Sequence, residues 1–454
     1  MTTASTDISA VHEQGQLKRS LKLRHIVFIG LAYLSPLAVF DTFGIVSEAT
    51  SGHVPMAYVL IVIAVLFTAF SYGKMVRAYP SSGSAYTYTR RTINSHLGFL
   101  VGWAAMLDYL FLPMINALLS SIYMTIAFPD VPAWVWIIMT IVICTSLNLF
   151  GVKLAAKVNY LLVIIEIVVA LSFVAFTIKN ILAGANGAEL SLAPFVTADM
   201  SMPTVAAGAS ILALSFLGFD AVTTLSEEAK HPRRDIPKAI FIIVAVAAAF
   251  FIGVTYFMQV LFPDVSAIQN IAGASPEMAK YIGGAAFQAV FIGGYMVAVL
   301  ACGLTQQMSA SRLLFAMGRD GVLPKKFFGY ISAKSGIPVL NILLIGLLAT
   351  SAVFLDLSKA ASLINFGAFV AFAFVNLSVI SYYFRFLGDK SPGKVIGYLV
   401  APALGVIVNV LLWISLEPSA KIVGLSWTVI GVIYLAVLTR GFRRTPPQMT
   451  AVPE

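Results

Sequence analysis

Apolar stretches of about 20 residues, the length that carries a helix across a bilayer, recur through the whole sequence, separated only by short polar joints. Placed by hydropathy, they fall at 25–48, 55–78, 97–127, 133–151, 158–178, 202–226, 239–262, 282–307, 338–355, 361–384, 396–415 and 421–440. In a bilayer every backbone amide and carbonyl must be satisfied within the segment, so such a chain folds as packed helices. Composition agrees: 59% of the residues are hydrophobic and 11% charged, where a water-facing domain carries about 25% charge. The expected fold is an all-α membrane protein of about twelve spans. The first span follows a polar tail and lacks a small-residue cleavage site, so it reads as a retained helix. The tail, with few apolar residues, is expected to be disordered.

A net charge of +9 would point to nucleic acid in a soluble protein, but here the basic residues collect in alternate joints. Of the 29 lysines and arginines, all but Lys179, Lys280, Lys359 and Lys421 fall on one face. Such asymmetry marks the cytoplasmic side and places both termini there. Cys144 and Cys302 lie in apolar stretches, where free cysteines act as small hydrophobes. Neither a phosphate-cradling glycine loop nor an HExxH zinc motif is present, which leaves no residues for ATP hydrolysis or zinc chemistry and calls for no cofactor or metal.

Two spans are expected to break. The first carries Tyr33-Leu34-Ser35-Pro36-Leu37, and proline removes an amide and crowds the preceding turn, so unwinding is expected near Pro36. The sixth carries Ser215-Phe216-Leu217-Gly218-Phe219-Asp220, where glycine permits a similar interruption. Interrupted spans five apart point to two five-helix halves of opposite topology with a site at the breaks.

Three stretches carry a family resemblance. Tyr79-Pro80-Ser81-Ser82-Gly83-Ser84-Ala85-Tyr86-Thr87-Tyr88, Glu227-Glu228-Ala229-Lys230-His231-Pro232-Arg233-Arg234-Asp235-Ile236-Pro237 and Arg312-Leu313-Leu314-Phe315-Ala316-Met317-Gly318-Arg319-Asp320-Gly321-Val322-Leu323-Pro324 resemble signatures of the amino acid, polyamine and organocation (APC) superfamily. Within it, Phe40-Asp41-Thr42-Phe43-Gly44, Leu107-Asp108-Tyr109-Leu110-Phe111 and Phe216-Leu217-Gly218-Phe219-Asp220 are most similar to bacterial putrescine importers. The resemblance implies a LeuT-like five-plus-five inverted repeat with two extra C-terminal helices, alternating access, and proton-driven import across the inner membrane. The corresponding divisions are a cytoplasmic tail 1–24, a first repeat 25–178, an extracytoplasmic loop 179–201, a second repeat 202–384, two further helices 385–440 and a cytoplasmic tail 441–454.

Four acids, Asp41, Asp108, Glu166 and Asp220, lie inside spans, and no lysine or arginine lies deep in any. Ionisable groups at membrane depth are costly and mark function, and an all-acidic set suits a cation. Asp108 is equally read as a protonated, locally bonded acid. Related amino acid carriers resemble one another in a glycine-rich break whose amides bind a carboxylate. Ser35-Pro36-Leu37 lacks those glycines, while its freed carbonyls can accept from an ammonium, although Ala38 and nearby amides can still bind an anion. Tyr33, Tyr109, Phe216 and Phe219 are candidates to cover an apolar spacer and attract its cationic ends. Most of the 32 phenylalanines must simply face lipid or other helices; Tyr109 is singled out by its place beside Asp108. The candidate substrate site is therefore Asp220, Tyr109, Tyr33, Ser35, Pro36, Ala38, Asp41, Phe216, Gly218, Phe219, Glu227 and Glu228. Glu166 stands near where several relatives resemble one another in a lysine that replaces a sodium ion, which makes it the candidate proton site; a buried, protonated hydrogen-bonding role is the other reading. A small amine such as putrescine is the favoured substrate, with an amino acid as the alternative; protons and the lipid bilayer are the other partners, and nucleic acid is not one. An enzyme is not expected.

Overall fold

The computed structural model describes residues 21–80, 84–149, 156–227, 229–266, 268–319, 321–332, 337–389 and 391–447, without the side chains of 156–162, Thr224, Glu227 and Ala316. The tail to residue 20, residues 81–83 and Asp320 of the signature stretches, Glu228, and residues 448–454 lie outside the described residues. Among the described residues the regular structure is helical, with an isolated bridge between Leu21 and Ala229 besides.

The elements are α1 Leu23–Leu34, α2 Phe43–Ala49, α3 Val54–Ala78, α4 Ser84–Thr92, α5 Ser95–Ala127, α6 Ala133–Leu149, α7 Ala156–Leu182, α8 Met202–Leu212, α9 Pro232–Leu261, α10 Ala274–Arg319, α11 Val339–Ala349, α12 Leu357–Phe386, α13 Pro392–Ile414 and α14 Pro418–Leu438. Among the described residues ten helical segments are long and apolar enough to cross a membrane, and two shorter apolar ones, Ala133–Leu149 and Val339–Phe354, accompany them. Apolar side chains on the outward faces of α13 and α14, including Leu411, Ile422 and Val437, are more than half exposed. Water would not tolerate that surface; lipid tails favour it.

Several ends differ from the hydropathy reading. Helix α7 continues to Leu182, so Lys179 lies in its last turn and the following loop starts later than 179. Helix α10 runs from Ala274 to Arg319 rather than 282–307, with a kink at Gly284 (φ +75°). Its polar ends extend past the apolar window because a helix does not stop where the membrane does. Helix α4, mostly polar, carries no hydropathy signal.

Packing places α3 against α9, and α5 against both α10 and α12. These long helices surround the short segments α1, α2 and α8, which makes the interrupted helices the centre of the bundle. At the periphery α14 is pinned to α5 by reciprocal bonds: the Trp103 indole donates to the Trp427 carbonyl at 2.9 Å and the Trp427 indole to the Trp103 carbonyl at 2.8 Å. Their rings stack at 4.8 Å. Donors paired in this way cost nothing at membrane depth, where an orphaned N–H would.

Candidate functional site at two helix breaks

The first span opens at Ser35 (φ 51°, ψ 112°), one residue before the proline. A tight turn, Pro36–Phe40, leads through Asp41 into α2. The turn begins with orphan amides, and proline removes one of them. Glu166 on α7 meets this opening: Ser35 Oγ donates to its Oε2 at 2.6 Å. A negative group at the N-terminus of a turn is favourable in its own right. Glu166 is 3% exposed.

The carbonyls freed here are not idle. Ser35 O accepts from the Ala38 amide, Ala38 O from the Asp41 amide and from Ser215 Oγ, and Phe40 O from Tyr123 and Ser275. The carboxylates, more than these carbonyls, are left to meet an ammonium.

The second break follows α8. A turn over Ala213–Phe216 passes into extended Leu217, then Gly218 at φ +106°, then a turn over Ala221–Glu227. A Cβ at Gly218 would stand 2.1 Å from Cδ1 of Tyr33. Glycine is required twice over, by its backbone angle and by the ring against it. The two breaks thus touch, and Ser215 adds a second tie, bonding both Tyr58 OH at 3.1 Å and Ala38 O at 3.4 Å.

The four acids divide around this contact. Asp41, 9% exposed, accepts from the Tyr295 hydroxyl, and Glu166 caps the first break. Asp220 accepts from Tyr72 OH at 3.1 Å and from the amides of Gly218 and Ala221. Asp108 on α5 has its Oδ1 shielded from solvent without a hydrogen-bond partner. Among the described residues none of the four is in an ion pair.

A cavity of about 730 Å³ rises from Leu21 and Arg24, at the N-terminal end of α1, between α1, α7 and α10 to Tyr33, Glu166, Cys302 and Gln306. A second space of about 60 Å³ continues from Tyr33, Cys302 and Gln306 to Ser35, Ala38, Asp41, Asn116, Leu217 and Tyr295. It is far smaller than the roughly 300 Å³ or more of an occupied ligand pocket. Beyond it the way is shut by packed aromatic rings: Tyr295 stacks on Tyr123 at 3.9 Å, and Phe291 contacts Phe40 and Phe173. The site is open toward the end of the bundle where α1 begins and closed toward the other.

Of the residues singled out in the sequence, Tyr33, Ser35, Ala38 and Asp41 line the small cavity, and Glu166 lines its approach. Pro36 starts the turn. Tyr109 follows Asp108 on α5 and lines neither cavity. Phe216 and Phe219, both fully buried, pack instead into aromatic clusters with Tyr58 and Phe251 and with Tyr72 and Phe372. Glu227 ends the second turn, its side chain outside the described residues, as is all of Glu228. The sequence reading missed Tyr72, Tyr295, Asn116 and Gln306. Asn116 and Gln306, uncharged polar groups within apolar stretches and bonded to each other, had a signal in the high cost of polar atoms at that depth. The two tyrosines had none, since 17 tyrosines are spread through the chain. Cys302, read as a small hydrophobe, lines both cavities.

The fold and site define a multi-pass membrane protein with a path that opens at one end, passes Glu166 and Asp41 and ends at two broken helices, the plan of a transporter. Residues 25–438 match the amino acid permease family model, and the chain belongs to that family of APC transporters. It is 43% identical to the low-affinity putrescine importer PlaP of Escherichia coli (strain K12), over 95% of this chain and 96% of the relative. The branched-chain amino acid permease BcaP of Bacillus subtilis (strain 168) is 25% identical over 95% of this chain and 96% of its own. The lysine-specific permease LysP of Lactococcus lactis subsp. cremoris (strain MG1363) is 26% identical over 93% and 88%. These relatives are transporters, not enzymes.

Proposed function

We propose that this chain imports putrescine or a similar small polyamine across a bacterial inner membrane by alternating access, driven by protons. The observation that carries the amine reading is the Glu166 carboxylate at the first break, where it accepts from Ser35 Oγ at 2.6 Å. In a carrier of amino acids, amides at such a break are available to a substrate carboxylate; here the protein supplies its own carboxylate. A diamine, lacking that group, is not excluded, and finds Asp41 and Asp220 as acceptors. The 43% identity to a putrescine importer supports the same substrate class. Competition against labelled putrescine by amines and by neutral amino acids tests it.

The architecture behind this reading is twelve spans, with the two shorter apolar helices counted, arranged as inverted repeats 25–178 and 202–384. An extracytoplasmic loop following Leu182, two further helices over 385–440 and cytoplasmic tails complete it. Contacts between α3 and α9 and between α5 and α10, which occupy equivalent places in the two halves, support that arrangement. The distribution of basic residues puts both termini in the cytoplasm, so the open cavity faces inward. A reporter active only in the cytoplasm is expected to work when fused after Arg444 and to fail when placed at 129–132; the opposite pattern would reverse the topology.

Glu166 is the proton site in this scheme. Its carboxylate holds Ser35 at the edge of the open cavity, so gain or loss of a proton acts directly on the break. Glutamine at 166 still accepts from Ser35 but cannot titrate. With Glu166→Gln in liposomes, an inwardly directed proton gradient is expected to leave uptake unstimulated while putrescine exchange persists. Stimulation equal to wild type would assign the proton to another acid.

A further inference from the structure

The small cavity, about 60 Å³, has room for a few groups the size of water. One end of a substrate fits inside it, and the remainder extends out past Tyr33, which lines both this space and the larger one. Three side chains of its lining offer an acceptor. Asp41 gives Oδ1 to the Tyr295 hydroxyl, while Oδ2 meets no donor among the described residues and is not sealed off. Tyr295 is itself held by stacking on Tyr123 at 3.9 Å, which fixes the carboxylate. Asn116 donates its amide hydrogens to Leu112 O at 3.0 Å and to Gln306 Oε1, which leaves its carbonyl oxygen to accept. Ser35 donates its hydroxyl hydrogen to Glu166 at 2.6 Å, so its lone pairs stay available. A primary ammonium carries three N–H donors, and these acceptors, one of them charged, match it. The walls at Leu119, Leu214 and Val299 are apolar and suit the methylene beside the nitrogen.

The geometry points to this cavity as a socket for one unsubstituted ammonium, bound by Asp41, Asn116 and Ser35, with Gln306 as the positioning residue that fixes the Asn116 amide. This rests on the amine reading of the site and deepens it: a primary amine terminus is what the site recognises, and Asn116 is a specificity-determining residue. Methyl groups on the nitrogen keep its charge but remove donors and add bulk. An α-amino acid carries its carboxylate on the carbon next to the nitrogen, and so brings it against Asp41.

The test is binding of putrescine, N-methylputrescine and N,N,N′,N′-tetramethylputrescine to the detergent-purified protein. All three are dications with the same spacer. N-methylputrescine keeps one primary end and is expected to bind within about threefold of putrescine. The tetramethyl form keeps none and should bind about tenfold weaker or more, the loss of charge-assisted bonds. A tetramethyl form equal to putrescine, or an N-methyl form as weak as the tetramethyl form, would overturn the socket while leaving the amine reading intact. If none of the three binds, the amine reading itself falls, and the socket with it. This series needs no substitution. Asn116→Ala adds a readout that a purely structural asparagine would not move: putrescine should weaken about tenfold while the tetramethyl form changes less than about threefold. Equal losses for both ligands, or unchanged putrescine binding, would overturn the assignment of Asn116.

Discussion

Asp220→Asn is expected to weaken putrescine binding roughly tenfold to a hundredfold while the solubilised protein keeps its expression level and melting temperature. The range follows from a charge-assisted bond contributing on the order of 1.5–3 kcal/mol at a water-poor site, with 1.4 kcal/mol to each decade. The competing role is visible in the structure, because the carboxylate accepts from the amides of Gly218 and Ala221 and so caps the turn that follows the break. Asparagine accepts those same bonds and caps nearly as well as aspartate. It also still accepts from Tyr72, whose hydroxyl is the donor. Shape and local bonding therefore survive the substitution and only the charge is lost. Binding within about twofold of wild type would reduce Asp220 to a cap and move attention to Asp41, Glu227 and Glu228.

A second large effect is expected at Gly218. Alanine there must adopt φ +106° and place its Cβ 2.1 Å from Tyr33. The backbone angle costs about 1–3 kcal/mol for a residue with a side chain, and displacing a packed ring costs about 1–3 kcal/mol more. Both costs fall on the contact that joins the two breaks. Uptake by Gly218→Ala should be near background, with a clearly lowered melting temperature. Adding Tyr33→Ala removes the collision but not the backbone strain, so the double variant should recover part of the stability. Wild-type uptake and melting by Gly218→Ala alone would show that the break does not need its glycine.

How much of this was legible depends on whether the information is local. The apolar spans are local, and their helices match within a few residues, except where polar ends start α9 at Pro232 rather than 239 and prolong α10 to Arg319, beyond any apolar window. Both breaks were legible because Pro36 and Gly218 restrict or free their own backbone. The four acids stood out because charge at membrane depth is rare. What the sequence withheld is which side chain from another helix meets each of them. Tyr72 reaches Asp220 across 148 positions and Tyr295 reaches Asp41 across 254, and nothing in either tyrosine's neighbourhood announces the pairing. Phe216 and Phe219 show the converse. They sit at the break as the sequence places them, but an interrupted helix leaves gaps that need filling, and the rings fill them by turning into Tyr58, Phe251, Tyr72 and Phe372.

The central claim is that the buried acids at the two breaks select a small polyamine, and competition during uptake tests it most directly. Purified protein in liposomes, loaded for exchange and given radiolabelled putrescine, is challenged with equal concentrations of unlabelled putrescine, cadaverine, leucine and alanine. The account predicts strong inhibition by the diamines and little by either amino acid. Displacement of putrescine by leucine or alanine as effective as by unlabelled putrescine would contradict it and return the chain to the amino acid carriers of its family.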